Sequence, residues 1–176
     1  MPLKDGCVDL VVTSPPYLNA IDYLRCSKFS LVWMGYSVGE LRAIRATSVG
    51  SEVSSKRDTA PNGIMSALNL RPALPPRLEA VLRRYVTDID CVIHEIARVL
   101  APDGRAVIVI GENTIRGTFI PTATIVRKLA AAIGLQMVQH SVRDLPSNRR
   151  YLPPPGRRGG ARTQGIRRES VMTFEA

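Results

Sequence analysis

A nearly unbroken apolar run, Val8 to Val12, leads directly into Thr13-Ser14-Pro15-Pro16-Tyr17. No other junction constrains the chain as much. Asp9 is the one polar residue in the run, so it lacks the alternation of a half-solvated strand. It reads as a parallel strand, roughly residues 7 to 13, covered on both faces. The prolines then end it. Each fixes its own φ, lacks an N–H and biases its predecessor toward extended geometry. The carbonyls of Ser14 and Pro15 are thereby held out of any helix and stay free to accept hydrogen bonds. Tyr17 adds a flat face for stacking. A small hydroxyl, fixed carbonyls and an aromatic ring suit a pocket for a planar base with an exocyclic amino group.

The rest of the chain alternates helix and strand. Residues 19 to 35 read as a helix with Gly35 as its stop. From 44 to 76 the pattern dissolves into Ser, Thr, Gly, Pro and scattered charges, which predicts a long mobile loop or insertion. A strong helix follows over 77 to 100. Its buried stripe is Leu78, Leu82, Tyr85, Ile89, Val92, Ile93, Ile96 and Leu100, with Arg83, Arg84, Asp88, Glu95 and Arg98 mainly opposite. Pro102 and Gly104 end it. Residues 105 to 111 predict a second strand buried on both faces, residues 122 to 133 a helix, and residues 135 to 142 and 169 to 174 two late strands. The order is β-α-loop-α-β-α-β-loop-β, without internal repeats, in one domain spanning 1–176.

Charge is the unusual part of the composition. Twenty-four Lys and Arg against 15 Asp and Glu give +9, which suggests a polyanionic partner. Seven arginines and no acid lie between Asp144 and Glu169. With Tyr151, Pro153 to Pro155 and four glycines, the 146–168 stretch predicts an exposed Arg-rich loop suited to phosphate contact. No 18-residue apolar run predicts a membrane span, and no signal-peptide pattern opens the chain. Cys7, Cys26 and Cys91 lack paired spacing and read as reduced, mostly buried thiols of an intracellular protein, with no metal site. His94 and His140 read as surface or packing residues.

Ser14-Pro15-Pro16-Tyr17 after a hydrophobic strand resembles the catalytic motif of the amino-group DNA methyltransferases, which act on cytosine N4 or adenine N6. The serine form is most typical of the cytosine-N4 enzymes; adenine enzymes more often carry Asp or Asn there. The run Leu18 to Arg25 also resembles one branch of the family. Residues 96 to 110 resemble the passage from helix to fifth strand in Rossmann-like methyltransferases, where Lys-Pro-Gly-Gly more often replaces Ala101-Pro102-Asp103-Gly104. Arg149-Arg150-Tyr151-Leu152-Pro153 resembles the loop bordering the target base in relatives.

The resemblance implies an α/β fold, the C-terminal half of a Rossmann-like sheet with about four strands, the last antiparallel. It implies methyl transfer from S-adenosyl-L-methionine to an exocyclic amine, with Ser14, Pro15, Pro16 and Tyr17 catalytic. Thr13 and Glu112 are candidate cofactor contacts, Asn113 equally a cap for the segment after it. Arg149, Arg150, Tyr151, Arg157 and Arg158 are candidate DNA contacts. The implied partner is double-stranded DNA with a flipped base, in a cytoplasmic, nucleoid-associated, prokaryotic setting.

The strands that carry the cofactor in this family, with their Gly-rich turn and an acid about 20 residues on, find no counterpart in the sequence. The chain therefore reads as a catalytic half, with a second chain as one source of the cofactor half. Two alternatives remain open: an RNA amino-group methyltransferase, and an inactive nucleic-acid-binding remnant or subunit.

Overall fold

The computed structural model describes residues 1–18, 23–50, 61–146 and 168–176. Six strands and five helices follow in order. They are β1 (Val8–Thr13), α1 (Tyr23–Trp33), α2 (Val38–Thr47), α3 (Asn62–Ala67), α4 (Pro76–Val99), β2 (Leu100–Gly111), β3 (Asn113–Ile115), β4 (Thr118–Ile120), α5 (Thr122–Ala132), β5 (Gln136–Asp144) and β6 (Arg168–Glu175).

The main sheet runs β1-β2-β6-β5. β1 and β2 are parallel, while β6 is antiparallel to both β2 and β5. This is a partial Rossmann-like α/β sheet with its last strand reversed, as the sequence implied. β3 and β4 form a small separate hairpin. Arg116 and Gly117 at its turn both have positive φ, 48° and 85°, the geometry that matches a two-residue turn to the twist of its strands.

The core lies on one face of the sheet. Ala106, Ile108 and Ile110 of β2, with Met172 and Phe174 of β6, pack against Leu82, Tyr85, Val86, Ile89, Ile93 and Ile96 of α4 and Ile125, Val126 and Leu129 of α5. The predicted 3,4-spaced stripe of α4 is the side that does this. Asp88 departs from expectation: it is buried and accepts a hydrogen bond from the Gly50 N–H at 2.9 Å. A buried carboxylate is tolerable where a fixed donor meets it, and this one ties α4 to the segment after α2.

Among the described residues the sheet is covered on one side only, which differs from the reading of β1 and β2 as strands buried on both faces. Leu10 and Val12 are 57% and 68% exposed, and Val107 and Val109 are half-buried. Among the described residues no element packs on that face, and β1 pairs only with β2. The apolar run does form a parallel strand, but its second cover is not supplied by the described residues.

Other differences are local. The 44–76 segment is not a single loop: residues 44–47 finish α2, and Asn62–Ala67 form α3. Ser37 begins α2 with a capping box, its hydroxyl accepting from the Glu40 N–H while Glu40 accepts from the Ser37 N–H at 2.7 Å. α1 ends at Gly35 (φ 93°) with Tyr36 N–H donating to the Leu31 carbonyl and Gly35 N–H to that of Val32, a Schellman motif. Cys7 and Cys91 are exposed rather than buried, and the Cys26 side chain lies outside the described residues.

β2 begins one residue after α4 ends, with a kink between Val8↔Leu100 and Leu10↔Arg105. Asp103 occupies the left-handed region there (φ 64°). After glycine, short polar residues such as Asp are the best tolerated in that region.

Candidate active site

Open α/β sheets present their ligand sites at the carboxyl ends of parallel strands. Here β1 ends at Thr13, paired with Ile108, and β2 runs on to Gly111. The Ser14–Tyr17 ledge therefore stands beside the Gly111-Glu112-Asn113 end of β2, as the sequence suggested. Ser14 is exposed, Pro15 buried, and Pro16 and Tyr17 half-buried. An exposed serine thus stands next to a proline seated in the protein. Asn113 fastens the two strand ends together: its side-chain amide donates to the Leu18 carbonyl, and its Oδ1 accepts from the Thr114 N–H at 2.8 Å. Leu18, 1% exposed, anchors the ledge in the core.

Sequence reasoning did not find the two residues beneath the ledge. The Tyr17 hydroxyl donates to Glu169 Oε1 at 2.7 Å, and Ser14 Oγ lies 3.2 Å from the same phenolic oxygen. Glu169, the second residue of β6, is 8% exposed and lies opposite Gly111. Its second oxygen meets Arg143 of β5, with Nη2 at 2.7 Å and Nε at 2.8 Å. Burial, reinforced by the hydrogen bond to Glu169, pushes the Tyr17 phenol up to about 12, although the Ser14 hydrogen bond opposes this. The phenol therefore keeps its proton across the physiological range. An acid at the start of the last strand, next to the Arg-rich stretch, was the available signal. It could not be read without the strand order that brings it across 152 residues to Tyr17.

Glu112 is placed at the cleft, but its carboxylate is already engaged. Oε2 accepts from the Thr122 N–H at 3.0 Å and the Thr122 hydroxyl at 3.3 Å. It therefore closes the N-terminus of α5, a position that favours negative charge. Burial raises its pKa above the ordinary carboxylate value, with those hydrogen bonds acting in the opposite direction. Thr13 is half-buried in the β1–β2 ladder. Among the described residues, no glycine-rich turn joins a strand to a helix, and no group of His, Cys, Asp and Glu is arranged to hold a metal ion. Arg149, Arg150, Tyr151, Arg157 and Arg158 all lie outside the described residues. His140 meets Ser170 Oγ at 3.1 Å, and His94 meets the Asp90 carbonyl at 3.0 Å. No helix among the described residues is long and apolar enough to cross a membrane.

The Ser14–Tyr17 ledge, Glu169 and the end of β2 thus meet at the carboxyl end of the parallel pair β1–β2. In sequence the chain is similar to type II DNA methyltransferases. It is 22% identical over 170 residues to the type II methyltransferase M.BsoBI of Geobacillus stearothermophilus, covering 78% of this chain and 33% of that protein. It is 26% identical over 160 residues to the type II methyltransferase M.MvaI of Kocuria varians, covering 83% of this chain and 35% of that protein. The chain thus spans about a third of the length of these curated relatives. Among solved structures, a candidate DNA modification methylase of Thermus thermophilus, complexed with S-adenosyl-L-methionine, aligns at 16% identity and TM-score 0.48. That alignment covers 99% of this chain and 47% of the other. No family model matches the chain.

Proposed function

We propose that this chain is the base-holding half of a DNA methyltransferase that moves the methyl group of S-adenosyl-L-methionine to an exocyclic amine. Serine at the head of the motif favours cytosine N4 as the target. The single observation that carries the reading is the ledge: an exposed Ser14 beside a buried Pro15, at the carboxyl end of β1 and beside the end of β2.

An exocyclic amine is a poor nucleophile because its lone pair is delocalised into the ring. Accepting its two N–H groups at Ser14 Oγ and the Pro15 carbonyl would orient the nitrogen and favour the geometry in which that pair is released. Tyr17 would lie against a base turned out of the duplex, offsetting part of the few kcal/mol that flipping costs. Arg149, Arg150, Tyr151, Arg157 and Arg158 would hold phosphates around that base, and the 44–76 segment would read its sequence context.

The described residues do not form a cradle for the methyl donor. Glu112 is engaged with α5, and the Gly-rich turn is lacking among them. We therefore assign the donor site to a second half, carried on a longer polypeptide or on a partner chain. Serine at the head of the motif counts against an RNA amino-group enzyme, and a glycine-rich cofactor turn on that second half would separate this reading from an inactive remnant or subunit.

The test is transfer of labelled methyl from S-adenosyl-L-methionine to DNA by the chain alone and joined to its cofactor half. Digestion to nucleosides would identify the product. N4-methylcytosine formed by the joined protein, and lost in Ser14→Ala and Tyr17→Ala variants that remain folded, is expected. Near-normal transfer by either variant would remove the assignment.

A further inference from the structure

The hydrogen bonds under the ledge have a direction, and Glu169 sets it. Its carboxylate, paired with the Arg143 guanidinium through Oε2, accepts hydrogen bonds and donates none. The Tyr17 hydroxyl proton must therefore point to Oε1, 2.7 Å away. Once that proton is committed, the Tyr17 oxygen can only accept on its other side, where Ser14 Oγ stands at 3.2 Å. The Ser14 proton points inward, and the serine lone pairs are left facing out.

We propose that Glu169 is a positioning residue: acting through Tyr17, it makes the exposed Ser14 hydroxyl an obligate acceptor for an N–H of the base amine. The inference rests on the function proposed above and deepens it. Each bond in the series Ser14–Tyr17–Glu169 polarises the next, which strengthens the acceptor at its open end. It also selects for substrate: an amino group donates to such a site, whereas a carbonyl in the same place would meet lone pairs. That is the discrimination required between cytosine and the isosteric 4-keto pyrimidines. The other charged group facing Tyr17 is Arg143 of β5, and it is bound to the same carboxylate.

Two measurements test this. In the chain as it stands, with ring-labelled tyrosine, the Tyr17 resonance is identified by its loss in Tyr17→Phe and titrated by NMR. Burial and Glu169 together keep that phenol protonated to about 12. Glu169→Gln is expected to lower the midpoint by about one pH unit; an unchanged midpoint overturns the proposal. In the joined enzyme, Glu169→Gln is expected to lower kcat about tenfold with KM for DNA within about twofold, the size of one oriented hydrogen bond. Tyr17→Phe keeps the ring and the Glu169–Arg143 pair, and is expected to lose about as much. The double variant should be no worse than Tyr17→Phe alone.

Additive losses, or a rise in KM without loss of kcat, overturn the proposal. A shifted titration in a joined protein that methylates nothing sinks the proposed function but supports the direction of the bonds. An active enzyme indifferent to Glu169→Gln sinks this inference alone.

Discussion

The carboxylate of Glu112 accepts the Thr122 N–H at 3.0 Å, joining the end of β2 to the start of α5 across ten residues. The same contact carries two opposed effects. Hydrogen bonding favours the carboxylate, while burial disfavours it more and raises its pKa. The sign follows: the folded state holds this proton more tightly than the unfolded chain. The charged form therefore reduces stability above the carboxylate range, and that reduction fades as pH falls through the raised pKa. Glu112→Gln retains an acceptor without the charge. It is expected to raise the urea midpoint at pH 7 slightly, with the gain shrinking toward pH 4. Glu112→Ala leaves the Thr122 N–H without its partner and is expected to cost about 1 kcal/mol at both values. Equal effects of the two substitutions at pH 7 would contradict this balance.

Tyr17 gives a second pH dependence, at the alkaline end. Its folded pKa of about 12 lies above the ordinary phenol value of 10.0. Its contribution is fully present below the unfolded pKa and is lost as pH rises through the window between the two. Urea midpoints of the wild-type chain measured from pH 9 upward should fall through this window more steeply than those of Tyr17→Phe. Parallel curves would show that the phenol is not held by its surroundings.

Backbone packing at the start of β2 allows no side chain at Gly104. A Cβ there would stand 2.8 Å from the Ala101 carbonyl oxygen and 3.0 Å from that of Val8. Both neighbours are backbone, fixed by the β1–β2 ladder, so neither can rotate away. Gly104→Ala is expected to destabilise by about 1–3 kcal/mol, the usual range for overpacking, read as a lower urea midpoint. A change below about 0.5 kcal/mol would mean that the kink relaxes freely.

The elements legible in the sequence are those with strong local periodicity. Leu82, Tyr85, Ile89, Ile93 and Ile96 announce α4 because a single buried stripe leaves a 3,4 spacing. Val8 to Val12 announce a strand because an apolar run ending in two prolines has few other uses. α2 escapes notice even though Ser37-x-x-Glu40 is a capping signature, since Leu41 alone of its residues is buried and its apolar stripe is correspondingly thin. The ledge is legible as chemistry, because proline geometry is local. What lies beneath it is not. Glu169 reaches Tyr17 only after the sheet places β6 beside β2, and Asn113 reaches Leu18 only after it places β1 beside β2. Glu112 carries the right address and a different task, because the start of α5 claims its carboxylate.

Among the described residues β1 bonds to β2 along one side only, and its open face shows Leu10 and Val12 at 57% and 68% exposure. A strand with one free flank and exposed apolar side chains is a template for pairing. Another copy of the chain offers the same exposed apolar flank and face as a cover. Concentration-dependent association is therefore expected in sedimentation velocity runs. Val12→Lys puts a charge on the open face while leaving the backbone pairing with Val107 intact. It should shift the chain toward monomer with a change in stability within about 0.5 kcal/mol, as for other surface substitutions. A wild-type chain that stays monomeric at high concentration, or a Val12→Lys variant that associates as before, would place the sticky surface elsewhere. The α1–α2 region, where Trp33 is 91% exposed, would be the next to examine.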